Sequence, residues 1–179
     1  MEKDQSLITL LKDKKQKNIA FKMLLDTYQK RLYWHIRKLV LIHEDANDVL
    51  QNTYLKIYKN IDSFKGNSSI HTWMYRIAYN ESIDFLKAKQ KRLKLSSEEI
   101  NTKILEALKE DVYFEGDQIQ FKLQEALLKL PEKQKQVFVM KYYDDLKFKE
   151  ISEIIGTSEG ALKASYHHAV KKIERFLIQ

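Results

Sequence analysis

The chain has no cysteine, a single proline and only four glycines among its 179 residues. Without cysteine it can form no disulfide, no thiolate nucleophile and no Cys-ligated zinc site. So little glycine and proline cannot supply the turns of an all-β protein, and we therefore expect an all-α fold. No apolar run approaches the roughly 20 residues that span a bilayer, and the charged start MEKDQSLITLLKDKKQK lacks the pattern of a signal peptide. We expect a cytoplasmic protein without membrane insertion.

Positive charge is in excess and is unevenly distributed. The formal net charge is +7, which favours a polyanionic partner such as nucleic acid. Residues 1–93 carry 18 basic and 10 acidic side chains, residues 94–117 carry 3 and 7, and residues 118–179 carry 11 and 8. The middle segment also has few apolar residues, which is typical of a linker with one frayed helix. We predict two small helical domains, 1–93 and 118–179, joined by the acidic linker 94–117.

Two amphipathic helices are predicted in the first domain. Apolar residues from Phe21 to Leu39 recur at spacings of three and four, which predicts a helix over residues 19–40. A second helix starts near Asp45 and carries polar residues opposite its apolar stripe. Spacing alone favours a solvated face, with acids at the helix start that complement the dipole. A docking face for a basic partner helix is the alternative.

A third helix, HTWMYRIAYNESIDFLKAKQKR, combines four aromatic residues with five basic ones. Aromatic rings stack on unpaired bases and cations hold the backbone, a combination typical of single-stranded nucleic acid binding. A place in the core is the alternative for Trp73. Arg76, Asn80 and Asp84 follow one another in steps of four, so they either pair along the helix or serve in function.

The loop SFKGNSS precedes this third helix and offers small polar side chains. Asn67, Ser68 and Ser69 are candidates to cap the helix, because a side-chain oxygen can accept a hydrogen bond from the first free N–H groups. A hydrogen-bonding pocket for a flipped base is the alternative. Capping is the simpler interpretation of the loop on its sequence alone.

The C-terminal domain contains a helix that stops at glycine and restarts at once. Pro131 suits the first turn of a helix, which is predicted to run to about Tyr143. A short apolar helix then ends at Gly156, since glycine takes the left-handed conformation at no steric cost. Thr157 or Ser158 can cap the helix that follows. This stop and restart is the pattern of a helix-turn-helix, whose second helix enters the major groove of DNA.

The outer face of that second helix is small, basic and imidazole-bearing. Small residues allow close approach to a groove and cations reach phosphates, so we interpret it as a DNA-recognition helix rather than a packing hairpin. His167 and His168 point about 100° apart and are not spaced to share a metal ion. The predicted DNA-contacting residues are Ser158, Gly160, Lys163, Ala164, His167, His168 and Lys171.

Three stretches together resemble the sigma-70 family of bacterial sigma factors, in the minimal two-domain group called extracytoplasmic function (ECF) sigma factors. They are EDANDVLQNTYLKIYKNIDSF, SSIHTWMYRIAYNESIDFLK and LPEKQKQVFVMKYYDDLKFKEISEIIGTSEGALKASYHHAVKKI. No single motif is decisive, but their order and spacing are specific. The resemblance implies a transcription initiation factor that binds core RNA polymerase, directs it to promoters and assists strand separation. It implies no enzyme activity and no catalytic residues.

The resemblance assigns two roles to the N-terminal domain. Region 2 of the family docks on the coiled coil of the polymerase β′ subunit, and the matching residues are Asp45, Asp48, Gln51 and Asn52. This implication reverses the preference for a solvated face. The loop and the third helix match the part that opens the minus-ten element and captures a flipped base. The implied DNA-contacting residues are Asn67, Ser68, Ser69, Trp73, Arg76 and Asn80.

The resemblance also assigns roles to the rest of the chain. Region 4 reads the minus-thirty-five promoter element through its recognition helix and binds the β flap of the polymerase. The acidic linker 94–117 stands where the family has a segment that threads the polymerase channel. Family members are often held inactive by an anti-sigma factor, so such a partner is expected. No cofactor, metal ion or small-molecule substrate is implied.

The chain departs from the family in its recognition helix, and its residues argue against two other classes of function. Ser165 and His168 stand where the family usually has arginine, which weakens the basic readout and prevents transfer of a promoter sequence. A helix-turn-helix regulator that acts without polymerase would not need the aromatic third helix. A nucleic-acid enzyme would need clustered carboxylates or a nucleophile with its base, and no acids are spaced to join Asp144 and Asp145.

Overall fold

The computed structural model describes residues 2–13, 15–111, 114 and 117–178, with side chains from residue 7 onward within those ranges. The described part is helix and connecting loop, so the predicted all-α fold is confirmed. None of its helices is long and apolar enough to cross a membrane. The helices are α1 Glu2–Lys12, α2 Lys17–Val40, α3 His43–Asn60, α4 Ile70–Leu93, α5 Ser97–Glu110, α6 Gln118–Leu128, α7 Glu132–Tyr142, α8 Phe148–Ile155 and α9 Glu159–Ile178, with a 3₁₀ turn at Ile61–Ser63.

Helices α2, α3 and α4 form the N-terminal bundle. Apolar residues at every third or fourth position of each helix face a common core, because this spacing places them on one side of the helix. Leu32, Ile36, Ile57 and Met74 have no exposed surface there, and Leu11 of α1 joins them. The predicted bounds of the three helices are confirmed to within two residues.

A regular helix, α5, lies within the segment predicted as a linker. Its start is fixed by a capping box: the Glu99 N–H donates to the Ser96 hydroxyl at 3.2 Å, and the Ser96 N–H donates to the Glu99 carboxylate at 2.7 Å. Ile104 is buried against Leu41 of the N-terminal half and Leu128 of α6. The expectation of a frayed helix is wrong, because the cap and this apolar contact hold both the start and the inner face of α5.

The C-terminal half is built around the helix-turn-helix of α8 and α9. Gly156 ends α8 with φ 76° and ψ 31°, as predicted from the sequence. Leu162 of α9 packs in the same buried cluster as Ile151 and Ile154 of α8. Pro131 takes the cap position just before α7, and α7 ends one residue before the predicted Tyr143. A second cluster, which joins α6, α7 and α9, contains Ala126, Leu127, Leu130, Phe138, Ala169 and Ile173.

The two halves of the chain pack directly against each other. Val137 and Met140 of α7 belong to the same buried cluster as the core of the N-terminal bundle. Across the same contact, the Tyr79 hydroxyl donates to the Gln136 side-chain oxygen at 2.7 Å. The described halves therefore share one apolar core, and their outward faces are held in fixed positions within this structure.

Candidate nucleic-acid and partner interfaces

The outer face of α9 is exposed over its first turns. Buried Leu162, Ala169 and Ile173 anchor the opposite side of the helix. Ser158 precedes the helix, and its carbonyl oxygen accepts the Leu162 N–H at 3.0 Å. A Cβ placed on Gly160 would meet nothing within 4 Å, so the start of the helix is an open, smooth surface. All seven predicted DNA-contacting residues are exposed: Ser158, Gly160, Lys163, Ala164, His167, His168 and Lys171.

Cations exceed acids on the exposed surface of α9. Lys163, Lys171, Lys172 and Arg175 are exposed there, against two exposed glutamates of the same helix. The rings of the adjacent histidines, His167 and His168, have centroids 6.1 Å apart and are tilted by 55°. Within the described residues no group of three or more His, Asp or Glu side chains could hold a metal ion. The face suits the DNA backbone, since ammonium groups and exposed imidazoles can reach phosphate oxygens.

The loop before α4 closes the start of that helix. The Thr72 N–H donates to the Ser69 hydroxyl at 3.0 Å, which confirms the predicted capping for Ser69. Asn67 and Ser69 are exposed, and Ser68 is partly exposed. The loop therefore keeps the polar groups of Asn67 and Ser68 available to a ligand while Ser69 holds the helix.

Helix α4 carries a half-buried aromatic ring beside an exposed polar stripe. Trp73 packs on Phe64 with ring centroids 5.4 Å apart, so the core interpretation holds for part of its surface. Arg76, Asn80 and Asp84 are exposed. Across the described residues none of the three forms a hydrogen bond or ion pair with another, so the ladder of paired side chains is absent. The polar groups of this stripe face solvent and can meet a partner.

The outer face of α3 combines polar residues with an exposed leucine. Asp45 is different from the other predicted docking residues, because Lys89 of α4 binds its carboxylate at 2.5 Å and leaves it mostly buried. Leu55 lies on the same face and is 58% exposed. Leu55 was not predicted from the sequence, although it lies four residues from Gln51 and seven from Asp48, a spacing that places it on their face. The remaining predicted residues are all exposed on this face: Asp48, Gln51 and Asn52.

A buried polar cluster, which the sequence did not predict, lies where the two halves meet. His35 Nδ1 of α2 lies 2.6 Å from the Asp144 carboxylate in the turn after α7. Lys38 Nζ lies 3.4 Å from the other oxygen of Asp144. The Tyr75 ring contacts His35 with ring centroids 4.3 Å apart and the planes tilted by 31°, and burial raises the pKa of Tyr75. Burial also lowers the pKa of His71, whose ring contacts Tyr75.

Comparison with known proteins gives matches over both halves. The family model "Sigma-70 region 2" matches residues 24–92, and "Sigma-70, region 4" matches residues 120–173. The curated "ECF RNA polymerase sigma factor SigW" of Bacillus subtilis (strain 168) is 31% identical over 172 residues, which cover 92% of this chain and 92% of that protein.

Two solved structures share the fold. One is CnrH in complex with the cytosolic domain of CnrY, with a TM-score of 0.70, 19% identity, and coverage of 97% of this chain and 96% of that chain. The other is the sigma factor RpoE in complex with the anti-sigma factor NepR from Bartonella quintana. Its TM-score is 0.68 at 18% identity, with coverage of 88% of this chain and 96% of that chain.

An exposed, cation-bearing helix after a glycine turn, on an all-helical body, defines a helix-turn-helix protein. The matches to regions 2 and 4, in this order, and to a relative over nearly the whole chain identify the family of this helix-turn-helix protein. The chain belongs to the sigma-70 family, in its ECF group, and is a transcription initiation factor of RNA polymerase. The resemblance seen in the sequence is confirmed, and a regulator that acts outside the polymerase is not favoured.

Proposed function

We propose that three exposed faces divide the work of promoter recognition. The α3 face binds the β′ coiled coil of core polymerase, the loop 67–69 and α4 hold the minus-ten element, and α9 reads the minus-thirty-five element. The observation that carries the proposal is the exposed face of α9. The small residues Gly160 and Ala164 lie near the start of the helix, and Lys163 and Lys171 lie beside and beyond them. Small side chains let a helix sit deep in the major groove while longer cations flank it on the phosphates.

The domains follow from this division. Residues 1–93 act as region 2 and residues 118–179 as region 4, which also binds the β flap. Residues 94–117 form the connection that lies in the polymerase channel. The connection carries 7 acidic and 3 basic side chains, and negative charge suits a cavity that attracts nucleic acid.

Docking on polymerase uses the polar face of α3. Asp48, Gln51 and Asn52 are exposed, so they can pair with a basic and polar partner helix. Leu55 adds apolar area in the middle of these polar groups, which is the usual arrangement of an interface anchor. Asp45 contributes less, because Lys89 already neutralises its carboxylate.

Strand separation uses the loop before α4. A base that leaves the duplex loses stacking worth a few kcal/mol, and a protein recovers this through hydrogen bonds and ring contacts in a pocket. Asn67 and Ser68 supply polar groups, and the exposed part of Trp73 supplies an aromatic surface. Arg76 and Asn80 lie on the next turns of α4 and can hold the strand beside the captured base.

The partners follow from the same assignment. Core RNA polymerase and promoter DNA are the working partners, and an anti-sigma factor is the regulatory one, as in the RpoE complex with NepR that shares this fold. We propose that the chain works in the cytoplasm, without a cofactor, metal ion or small-molecule substrate. The chemistry of RNA synthesis stays with the polymerase, and the chain itself is not an enzyme.

Binding to core polymerase tests the proposal directly. Purified protein is mixed with bacterial core polymerase, and the complex is measured by gel filtration and by titration of a labelled chain. Asp48→Ala with Asn52→Ala should weaken binding at least tenfold, because both polar contacts are lost together. The control is Asp26→Ala with Gln29→Ala, at exposed positions of α2, which should bind as the unchanged protein does. If both double variants bound core polymerase equally tightly, the assignment of the α3 face as the docking surface would be contradicted.

A further inference from the structure

We propose that a cleft between the two halves of the chain binds a small planar aromatic molecule with one negative charge, and that this molecule holds the halves together. The cleft has a volume of about 760 Å³, within the range of about 300 to 1,000 Å³ in which proteins bind small ligands. Its lining comes from α2 and α5, and from α6 and the end of α7. The molecule acts as an effector rather than as a substrate.

Aromatic rings from both halves line the cleft. Trp34 of α2 and Tyr142 of α7 are 45% and 58% exposed, although burial of such large rings is favourable. Tyr33 meets Trp34 edge-on with ring centroids 5.3 Å apart, and Tyr143 meets Tyr142 edge-on at 5.0 Å. Each half thus contributes a pair of rings. A flat aromatic molecule in the cleft can pack against these rings and remove their apolar surface from water.

The charged side chains in the lining are cationic. Arg37 and Lys38 line the cleft, and no Asp or Glu among the described residues does. The acids that pair with these cations, Asp111 and Asp144, lie outside the lining. Lys38 Nζ also lies 5.0 Å from the centroid of the Tyr143 ring. The cleft therefore combines positive charge with aromatic surface, which favours an aromatic molecule that carries an acidic group.

Two glutamines of α6 add polar groups to the lining. Gln124 Nε2 donates to the Tyr143 hydroxyl at 3.2 Å, which fixes the position of that ring. Gln120 is exposed and also lines the cleft, so its amide group can donate a hydrogen bond to the acidic group of the ligand. A mainly apolar and aromatic cleft with a few polar groups is the usual composition of a small-molecule site.

A molecule in this cleft contacts both halves at once. The rings of Tyr33 and Trp34 belong to the N-terminal half, and those of Tyr142 and Tyr143 belong to the C-terminal half. Binding to this arrangement alone stabilises it by mass action. Because the holoenzyme needs the halves apart to reach two promoter elements, the molecule should oppose promoter binding. That last consequence rests on the proposed function.

Binding is tested on the full chain without polymerase or DNA. Isothermal titration calorimetry measures the affinity for naphthoate, a planar aromatic anion, and one molecule should bind per chain. Trp34→Ala with Tyr142→Ala should weaken binding about tenfold or more, because one ring is lost from each half. The matched control is Ile19→Ala with Met23→Ala, at positions of α2 that are 68% and 49% exposed, and it should bind naphthoate as the unchanged protein does.

Charge is tested separately. Gln120→Glu places a carboxylate in the lining and should weaken naphthoate binding about threefold or more, whereas Gln29→Glu makes the same change in net charge outside the cleft and should not. Two further probes need no variant: cyclohexanecarboxylate lacks the aromatic ring, and naphthylmethylammonium reverses the charge. Each should bind the unchanged protein about tenfold more weakly than naphthoate does.

Several results would overturn the site. They are no binding of naphthoate at millimolar concentration, equal affinity for the three probes, and equal affinity of the ring variant and its control. If none of the three probes bound, the cleft would be left to a partner protein, and the proposal would be wrong.

The holding role is tested with the assembled holoenzyme. Saturating naphthoate should weaken its binding to a promoter fragment about fivefold or more with the unchanged protein, and should have no effect with the Trp34→Ala, Tyr142→Ala variant. An unchanged affinity despite bound naphthoate would overturn the holding role. If the holoenzyme bound no promoter even without naphthoate, the proposed function would fail, whereas calorimetry on the free chain would still decide the site.

Discussion

His35 and Asp144 join the two halves of the chain through a contact of 2.6 Å between Nδ1 and a carboxylate oxygen. Their side chains are 0% and 3% exposed, so the contact is shielded from water. Lys38 approaches the second oxygen of Asp144, and the Tyr75 ring covers His35. The two halves of the chain are thus held together by a polar contact inside an apolar interface.

Asp144→Asn should destabilise the folded chain by about 1 to 3 kcal/mol, because it removes the charge that holds His35 and Lys38 in a buried site. The free energy of unfolding is measured by urea denaturation. The neighbouring Asp145→Asn is the matched control: its side chain is 94% exposed, and the change should stay within about 0.5 kcal/mol. Equal effects at the two positions would show that the buried contact does not hold the halves together.

The two halves should separate when the holoenzyme binds a promoter. A compact chain of this length is about 40 Å across, whereas about 25 base pairs between the two promoter elements span roughly 85 Å. The chain has no cysteine, so Lys22→Cys and Lys172→Cys place two labels, one on each half, at exposed positions. The distance between the labels should increase on binding core polymerase and promoter together. An unchanged distance would contradict the assignment of the two faces to two elements.

Lys135→Met should stabilise the protein at pH 7 by about 1 kcal/mol, because burying an ammonium group in an apolar site is unfavourable. Lys135 is 8% exposed, and burial lowers its pKa while Glu132 partly opposes the effect. Above the ordinary lysine pKa of 10.5 the group is neutral in both states, so the penalty is absent there. As the pH falls, the unfolded chain takes up the proton first and the free energy of unfolding drops.

The measurement for Lys135 is a series of urea denaturations from pH 7 to pH 11. The advantage of Lys135→Met over the unchanged protein should be largest at pH 7 and should disappear near pH 11. Lys133→Met, at an exposed position of the same helix, is the control and should show no such dependence on pH. An advantage that stays constant across the series would place its origin in packing rather than in the buried charge.

Ala164→Glu should weaken binding of the holoenzyme to minus-thirty-five DNA by at least tenfold. Ala164 is exposed in the middle of the α9 face, where a carboxylate would meet phosphate and fill the space needed for close approach. Gln29→Glu, on the outer surface of α2, makes the same change in net charge and should bind normally. Binding is measured by fluorescence anisotropy with labelled promoter fragments. If the Ala164→Glu variant bound promoter DNA normally, the assignment of α9 to the promoter interface would be contradicted.

The spacing of apolar residues and the residues that begin and end helices were sufficient to predict the fold class and the exposed faces. Gly156 ends α8 as its conformational freedom predicts, and the spacing along α9 separates Leu162 and Ala169 from the exposed residues. Both features are local: they depend on residues within a few turns of one another. The cap at Ser69 follows from the same kind of information.

Contacts between distant parts of the chain could not be predicted in this way. His35 and Asp144 are 109 residues apart, and nothing in either local pattern indicates the other. The capture of Asp45 by Lys89 depends on how α3 and α4 cross, which periodicity leaves open. The regular form of α5 was missed for a similar reason, since Ile104 is buried only because two other helices lie beside it.

Transcription by core polymerase tests the central claim most directly. The purified protein is added to bacterial core polymerase on a pool of promoter fragments from the source genome, with core polymerase alone as the control. We predict start sites that appear only with the protein and that share two upstream sequence elements. Binding of the protein to duplex DNA with no new start sites and no binding to core polymerase would contradict the account.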